Sequence, residues 1–222
     1  MHIEPGLVDA SKIVLSYATA ATAVAAGVFH MRKDITQSGG TMFVARSIVA
    51  MIAVIIFFEV LPHFPVGVSE VHLILGSSLL LMLGTGPAAV GLGLGLLIQG
   101  VFVSPFDLPQ YGMNLTTLLA PLFVIHAIAS KSLAGRGYTS LGYAEVFKLS
   151  LVYQGGIVAW VAFWAIYGQG VGAANIQAIA AFGASYMLVV LIEPLADLAL
   201  LFVAKKLKSG ALRRLLNPMV YA

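Results

Sequence analysis

Five histidines, at positions 2, 30, 63, 72 and 126, are the residues best placed to do chemistry in this chain, which has no cysteine at all. Without thiols, disulfides, thiolate metal sites and thiol catalysis are excluded, and any metal must be held by nitrogen and oxygen donors. His2 stands apart by its position. The free amine of Met1, the backbone nitrogen of residue 2 and the His2 imidazole can close two adjacent chelate rings around one ion, giving three coplanar nitrogens. One further imidazole would complete a square-planar set suited to Ni(II) or Cu(II) and open to Co(II). His72 is the natural fourth donor, because it closes the loop after the second apolar stretch. Spacing alone also fits, and more plainly, a His2 that is merely the second residue of a frayed terminus. His30, beside Arg32, reads as a solvated interfacial residue, and His126, inside an apolar stretch, as a hydrogen bonder in helix packing.

The elements that must position these residues are apolar. Hydrophobic residues make up 60% of the 222-residue chain and charged residues 9%, against the roughly 25% charged residues of soluble domains. Mean hydropathy is +0.98. A helix needs about 20 apolar residues to cross a bilayer core of about 30 Å. Candidate spans lie near 11–31, 42–61, 72–84, 87–103, 114–130, 145–168 and 174–204. The expected fold is therefore all-α: a polytopic membrane bundle of about seven helices, with residues 1–222 forming a single transport domain. The third span is short and on its own resembles a tilted or re-entrant half-helix. The seventh contains Pro194, which predicts a kink or an extension beyond the membrane.

Lysine and arginine collect in cytoplasmic loops. Arg32 and Lys33 follow span one, Lys131 and Arg136 follow span five, and Lys205, Lys206, Lys208, Arg213 and Arg214 follow span seven. With Arg46 and Lys148 at the same ends of spans two and six, only Lys12 falls on the other side. This places the N-terminus outside and the C-terminus in the cytoplasm, in the inner (cytoplasmic) membrane. It also ties spans three and four together: both cross or neither does, since otherwise Lys131 and Arg136 would change sides. Met1-His-Ile-Glu-Pro-Gly lacks the basic start of a signal peptide, so Met1 is expected to stay.

Several other functions are disfavoured. The net charge of +3 comes from these clustered loops rather than a basic groove, so no nucleic-acid partner is expected. Gly91, Gly93, Gly95 and Gly100 fit close helix packing, and Gly91-Leu-Gly93 lacks the strand context of a nucleotide fingerprint. No residue set suggests catalysis or a resident cofactor. Among intramembrane polar residues, Gln99 and Gln154 are expected to bond between helices. Glu193 and Asp197 share a face of span seven, far from His2, in an ion-pair or subunit-contact role.

Met1-His2-Ile3, the loop from Phe64 through Ser69-Glu70-Val71-His72-Leu73, then Gly84-Thr85-Gly86-Pro87-Ala88-Ala89 and Gln99 through Gly112-Met113-Asn114 resemble the CbiM/NikM family. Its members are the substrate-binding membrane subunits of energy-coupling-factor transporters for cobalt and nickel. The resemblance implies a metal site at Met1, His2 and His72, with Asn114 holding the terminus. The family's usual Ser-Gly-His is here Ser69-Glu70-Val71-His72, and the proline of the usual N-terminal start is displaced to Pro5, so Glu70 or His63 could join the site. The cargo implied is Ni2+ or Co2+. The partners implied are ATP-binding-cassette ATPase subunits, a transmembrane coupling subunit and a small accessory membrane protein. Two other classes compete: an intramembrane redox protein in which His30, His72 and His126 hold a haem or metal, and a secondary transporter without partners.

Overall fold

In an apolar medium every backbone N–H and C=O must be satisfied within the chain, which drives long apolar stretches into helices. The computed structural model describes residues 2–133, 136–206 and 211–220; Met1 and Lys208 lie outside them. Its long helices are α1 (Val14–Ser38), α2 (Gly40–Ile55, continued by a π turn to Val60), α4 (Thr85–Phe102), α5 (Tyr111–Leu133), α6 (Tyr143–Gln169) and α7 (Ala173–Lys206). A short α3 (Gly76–Leu83) precedes α4, and α8 (Ala211–Leu215) follows α7. Among the described residues six segments are long and apolar enough to cross a membrane. This is the expected all-α polytopic bundle.

The third expected span is built differently from the rest. α3 has eight residues, all of them buried, so it covers about 12 Å and sees protein on every side, as an all-round apolar helix must. Its lead-in, residues 72–75, starts at the level of His2, and the helix ends at Gly84 (φ 100°), where a Cβ would press on the Asn217 amide and come within 3.4 Å of the Asp34 carboxylate. α4 then runs back, with Gly86 donating its N–H to Asp34 (2.7 Å) at one end and Gln99 beside His2 at the other. The lead-in and α3 together reach about 22 Å, and α4 from Thr85 to Gln99 about 21 Å. The two segments thus traverse the bundle as a pair, and the N-terminal segment and the tail around Asn217 lie at opposite ends.

Glycine decides how closely α4 meets α2. A Cβ on Gly91 would stand 2.3 Å from Ala50, and one on Gly95 2.7 Å from Val54, so the two backbones pack as small residues permit. α6 packs on both α5 and α7. α7 is one helix through Pro194. At its lysine-bearing end Leu201 and Ala204 are still buried in the core, and the Lys205 ammonium bonds the Leu141 carbonyl (2.9 Å).

Candidate metal centre

The centre is built on a small β-hairpin, β1 (Phe64–Val66) and β2 (Ser69–Val71), paired antiparallel as Phe64 with Val71 and Val66 with Ser69. Its two-residue turn starts at Gly67 (φ 63°), the position where a tight hairpin turn needs a positive φ. A Cβ there would also lie 2.3 Å from the Ala178 carbonyl of α7, so glycine both makes the turn and lets it seat on that helix. The N-terminal segment joins the free edge of β2. Ile3 bridges Ser69, Glu4 donates its N–H to the Val68 carbonyl (3.3 Å), and the His2 carbonyl accepts both the Glu70 N–H (2.9 Å) and the Ser69 hydroxyl (2.8 Å).

From His2 onward this terminus is fixed rather than frayed. Ile3 is fully buried with Val8, Met113 and Trp164 in a small core of its own, and its N–H donates to Asn114 Oδ1 (2.9 Å) at the start of α5. His2 itself is 3% exposed.

The anchoring brings three possible ligands together. His2, Glu70 and His72 offer nitrogen and oxygen atoms all within 4.8 Å of one another, the one such group among the described residues. Glu70 Oε2 lies 2.7 Å from His2 Nδ1 and 2.8 Å from His72 Nε2. The two imidazole centroids are 5.2 Å apart, and Phe58 closes the floor against both rings. Gln99 Oε1 accepts the His2 Nε2 proton at 2.6 Å. That bond fixes the ring and directs Nδ1 toward Glu70, in the way an outer partner orients a metal-binding imidazole.

Charge follows from burial and these contacts. Burial disfavours the Glu70 carboxylate, but hydrogen bonds from His2 and His72 outweigh it and hold the group below the usual carboxylate range. Burial pulls His72 down to about 3, with Glu70 offsetting only part of the effect. His72 is therefore neutral near pH 7. As it donates from Nε2 to Glu70, its Nδ1 is a buried lone pair with no partner among the described residues. The neutral His72 imidazole, the His2 imidazole and the Glu70 carboxylate together offer nitrogen and oxygen donors of the kind that suit a borderline divalent cation.

Other expectations distribute as follows. Met1 lies outside the described residues. His63 is exposed and stacks on His72 with centroids 4.8 Å apart, outside the three-residue group. His30 packs against His126 at the other end while His72 joins His2, so the three histidines of a redox reading are not gathered. Gln99 turns to His2 rather than to another helix. Glu193 is not remote from the site: it accepts the Ile74 N–H, two residues past His72. Asp107, which nothing in the sequence singled out, has Oδ2 4.0 Å from His2 Nδ1. Only its place in a loop otherwise poor in charge could have flagged it.

A family model described as the cobalt uptake substrate-specific transmembrane region, CbiM, matches residues 2–210. The chain belongs to the CbiM family. It is accordingly a multi-pass membrane component of cobalt-type uptake and not an enzyme. The CbiM fold is also met in a crystal structure of a truncated transition metal transporter, which aligns with a TM-score of 0.64 over 91% of this chain and 95% of its own at 16% identity. At that identity the likeness is one of fold. No curated protein matches the chain. In this CbiM chain the hairpin, the terminal segment and the end of α4 meet at one point, the group of His2, Glu70 and His72.

Proposed function

We propose that this chain is the capture subunit of an energy-coupling-factor importer for Ni(II) or Co(II), taking the ion from outside the inner membrane. The observation that carries the reading is the burial of His2 and His72 against one carboxylate, at a terminus that the hairpin, Asn114 and Gln99 hold in place. The chelate would be the Met1 amine, the backbone and imidazole nitrogens of His2, and His72, with Glu70 as a neighbouring or fifth donor. Nitrogen donors in fixed geometry disfavour Mg(II) and Ca(II), which prefer oxygen. Capture releases protons from the donors, so affinity falls in acid. The excess of lysine and arginine at the tail end supports an outward-facing site. The chain carries no phosphate-cradling loop, so the energy would come from ATP-binding-cassette subunits through a transmembrane coupling subunit, with a small accessory membrane protein, as the family resemblance implies.

The test inserts one alanine between Met1 and His2 and titrates the purified protein calorimetrically with nickel and cobalt. Loss of binding, with membrane insertion intact, is expected because the chelate rings can no longer close on one ion. An insertion mutant that binds as tightly as the parent would refute the chelate. The same titration compares the two ions.

A further inference from the structure

Glu70 stands where this chain departs from the Ser-Gly-His spacing of the proteins it resembles, and its carboxylate lies between the two imidazoles of the capture group. One oxygen makes both contacts: Oε2 is 2.7 Å from His2 Nδ1 and 2.8 Å from His72 Nε2. The backbone fixes this arrangement. Glu70 sits in β2 and donates its N–H to the His2 carbonyl (2.9 Å). It is two residues from His72, so both side chains leave the extended segment on one face. The carboxylate is the outer one of the three side chains, 27% exposed against 4% for His2 and 0% for His72.

These distances are close to those between donors that share an ion. With metal–donor distances of about 2.0–2.1 Å, as at zinc, neighbouring donors at right angles stand about 2.9 Å apart. His2 also turns Nδ1 toward the group, the nitrogen that a six-membered ring with the residue-2 amide requires, while Nε2 goes to Gln99. In the proposed plane of four nitrogens His2 and His72 hold adjacent corners, since the amine lies across from the His2 imidazole and the amide across from His72. An oxygen next to both therefore stands off the plane, in an axial position. Asp107 Oδ2, 4.0 Å from His2 Nδ1, falls outside the group of three, and Phe58, against both rings, offers no donor.

We infer that Glu70 is the axial fifth donor to the captured ion and that it selects Co(II) over Ni(II). The inference rests on the capture reading and deepens it. Intrinsic affinity runs the other way, nickel above cobalt, so a preference for cobalt has to be imposed by geometry. Ni(II) in a bare square plane of nitrogens can pair all its d electrons and leave the highest orbital empty, a gain that an axial ligand removes. Co(II), with one d electron fewer, has less to lose. An anionic oxygen also offsets the charge that a divalent ion carries into a buried pocket.

Calorimetric titration of the purified full chain with cobalt and nickel chlorides, together with the magnetic state of the bound nickel read by NMR susceptibility shift, tests this. The parent should favour cobalt, and its bound nickel should be paramagnetic because the carboxylate breaks the square plane. In Glu70→Ala the nickel should turn diamagnetic, and the ratio of cobalt to nickel affinity should fall about tenfold or more. Glu70→Gln, which keeps the size and removes the charge, should shift the ratio in the same direction. Diamagnetic nickel in the parent would overturn the axial role, whether or not either variant folds. Nickel that stays paramagnetic in Glu70→Ala, or a ratio within about twofold of the parent in both variants, would overturn it as well. A parent that binds neither ion, or binding untouched by His72→Ala, would instead overturn the capture reading and this inference with it.

Discussion

The Glu193 carboxylate, buried in the middle of α7, accepts the backbone N–H of Ile74, two residues beyond His72. Its other oxygen accepts from the Gln154 side-chain amide, whose own oxygen takes the Tyr186 hydroxyl at 2.8 Å. A line of hydrogen bonds through α6 and α7 thus holds the lead-in segment 72–75 that begins with His72, including Leu75, whose φ of 52° is rare for a side chain of that size.

Removing this support should destabilise the site from below. Glu193→Ala leaves the Ile74 N–H and the Gln154 amide without an acceptor in a dry interior, at about 1–3 kcal/mol for each group. Glu193→Gln keeps an acceptor oxygen and should lose less. Thermal unfolding in detergent should rank the proteins parent, Gln, Ala; an Ala variant as stable as the parent would refute the supporting role.

Gln99 is expected to act on metal affinity without touching the ion. Gln99→Leu removes the acceptor that fixes the His2 ring, and losses of this kind typically cost about 10–100-fold in affinity. Nickel titration reads the loss directly, and unchanged circular dichroism would show that the helices are intact. An affinity within twofold of the parent would mean that the ring is oriented by other contacts.

Asn114→Ala should loosen the terminus itself. The Ile3 N–H loses the Asn114 oxygen it donates to in a fully buried position, a cost of about 1–3 kcal/mol. Each 1.4 kcal/mol of local opening speeds amide exchange about tenfold. Hydrogen exchange at Ile3 should therefore accelerate by one to two orders of magnitude (about 10–100-fold), while exchange in the middle of α5 stays slow.

Acid should weaken the metal-free protein. The folded state keeps His72 neutral down to about 3, whereas the unfolded chain protonates it near the ordinary 6.5. Between those values the unfolded state binds more protons, so stability falls as pH falls, by at most about 1.4 kcal/mol per pH unit from this residue. Glu70, held below its ordinary 4.5, adds a loss of the same sign at lower pH. Unfolding midpoints measured from pH 7 to 4.5 should drop in the parent and drop less in His72→Ala; parallel curves would contradict the assignment.

The candidate site was readable in the sequence to the extent that its chemistry depends on residue type and chain position. His2 is special because it is second, and His72 because it ends a loop, and neither fact needs a fold. Gln99 and Asn114 belonged to the recognisable motifs, but nothing local says that one would accept from the His2 ring and the other from the Ile3 amide. These partners lie 97 and 111 residues from the atoms they bond.

The sequence by itself determined the solvent and the places of the six long apolar helices, with a seventh, shorter stretch between the second and fourth, because hydropathy sums along the chain and a bilayer reads only that sum. It determined as well that metal binding would use nitrogen and oxygen. The tertiary structure alone decided that the short third stretch, α3, would be wrapped by protein on all sides, that the terminal segment would add to the edge of β2, and that Glu193 would reach the loop bearing His72. Each of these is a pairing across the bundle, made because a buried polar group must find a partner wherever packing places one. Such pairings leave no period or spacing in the chain from which they could be read.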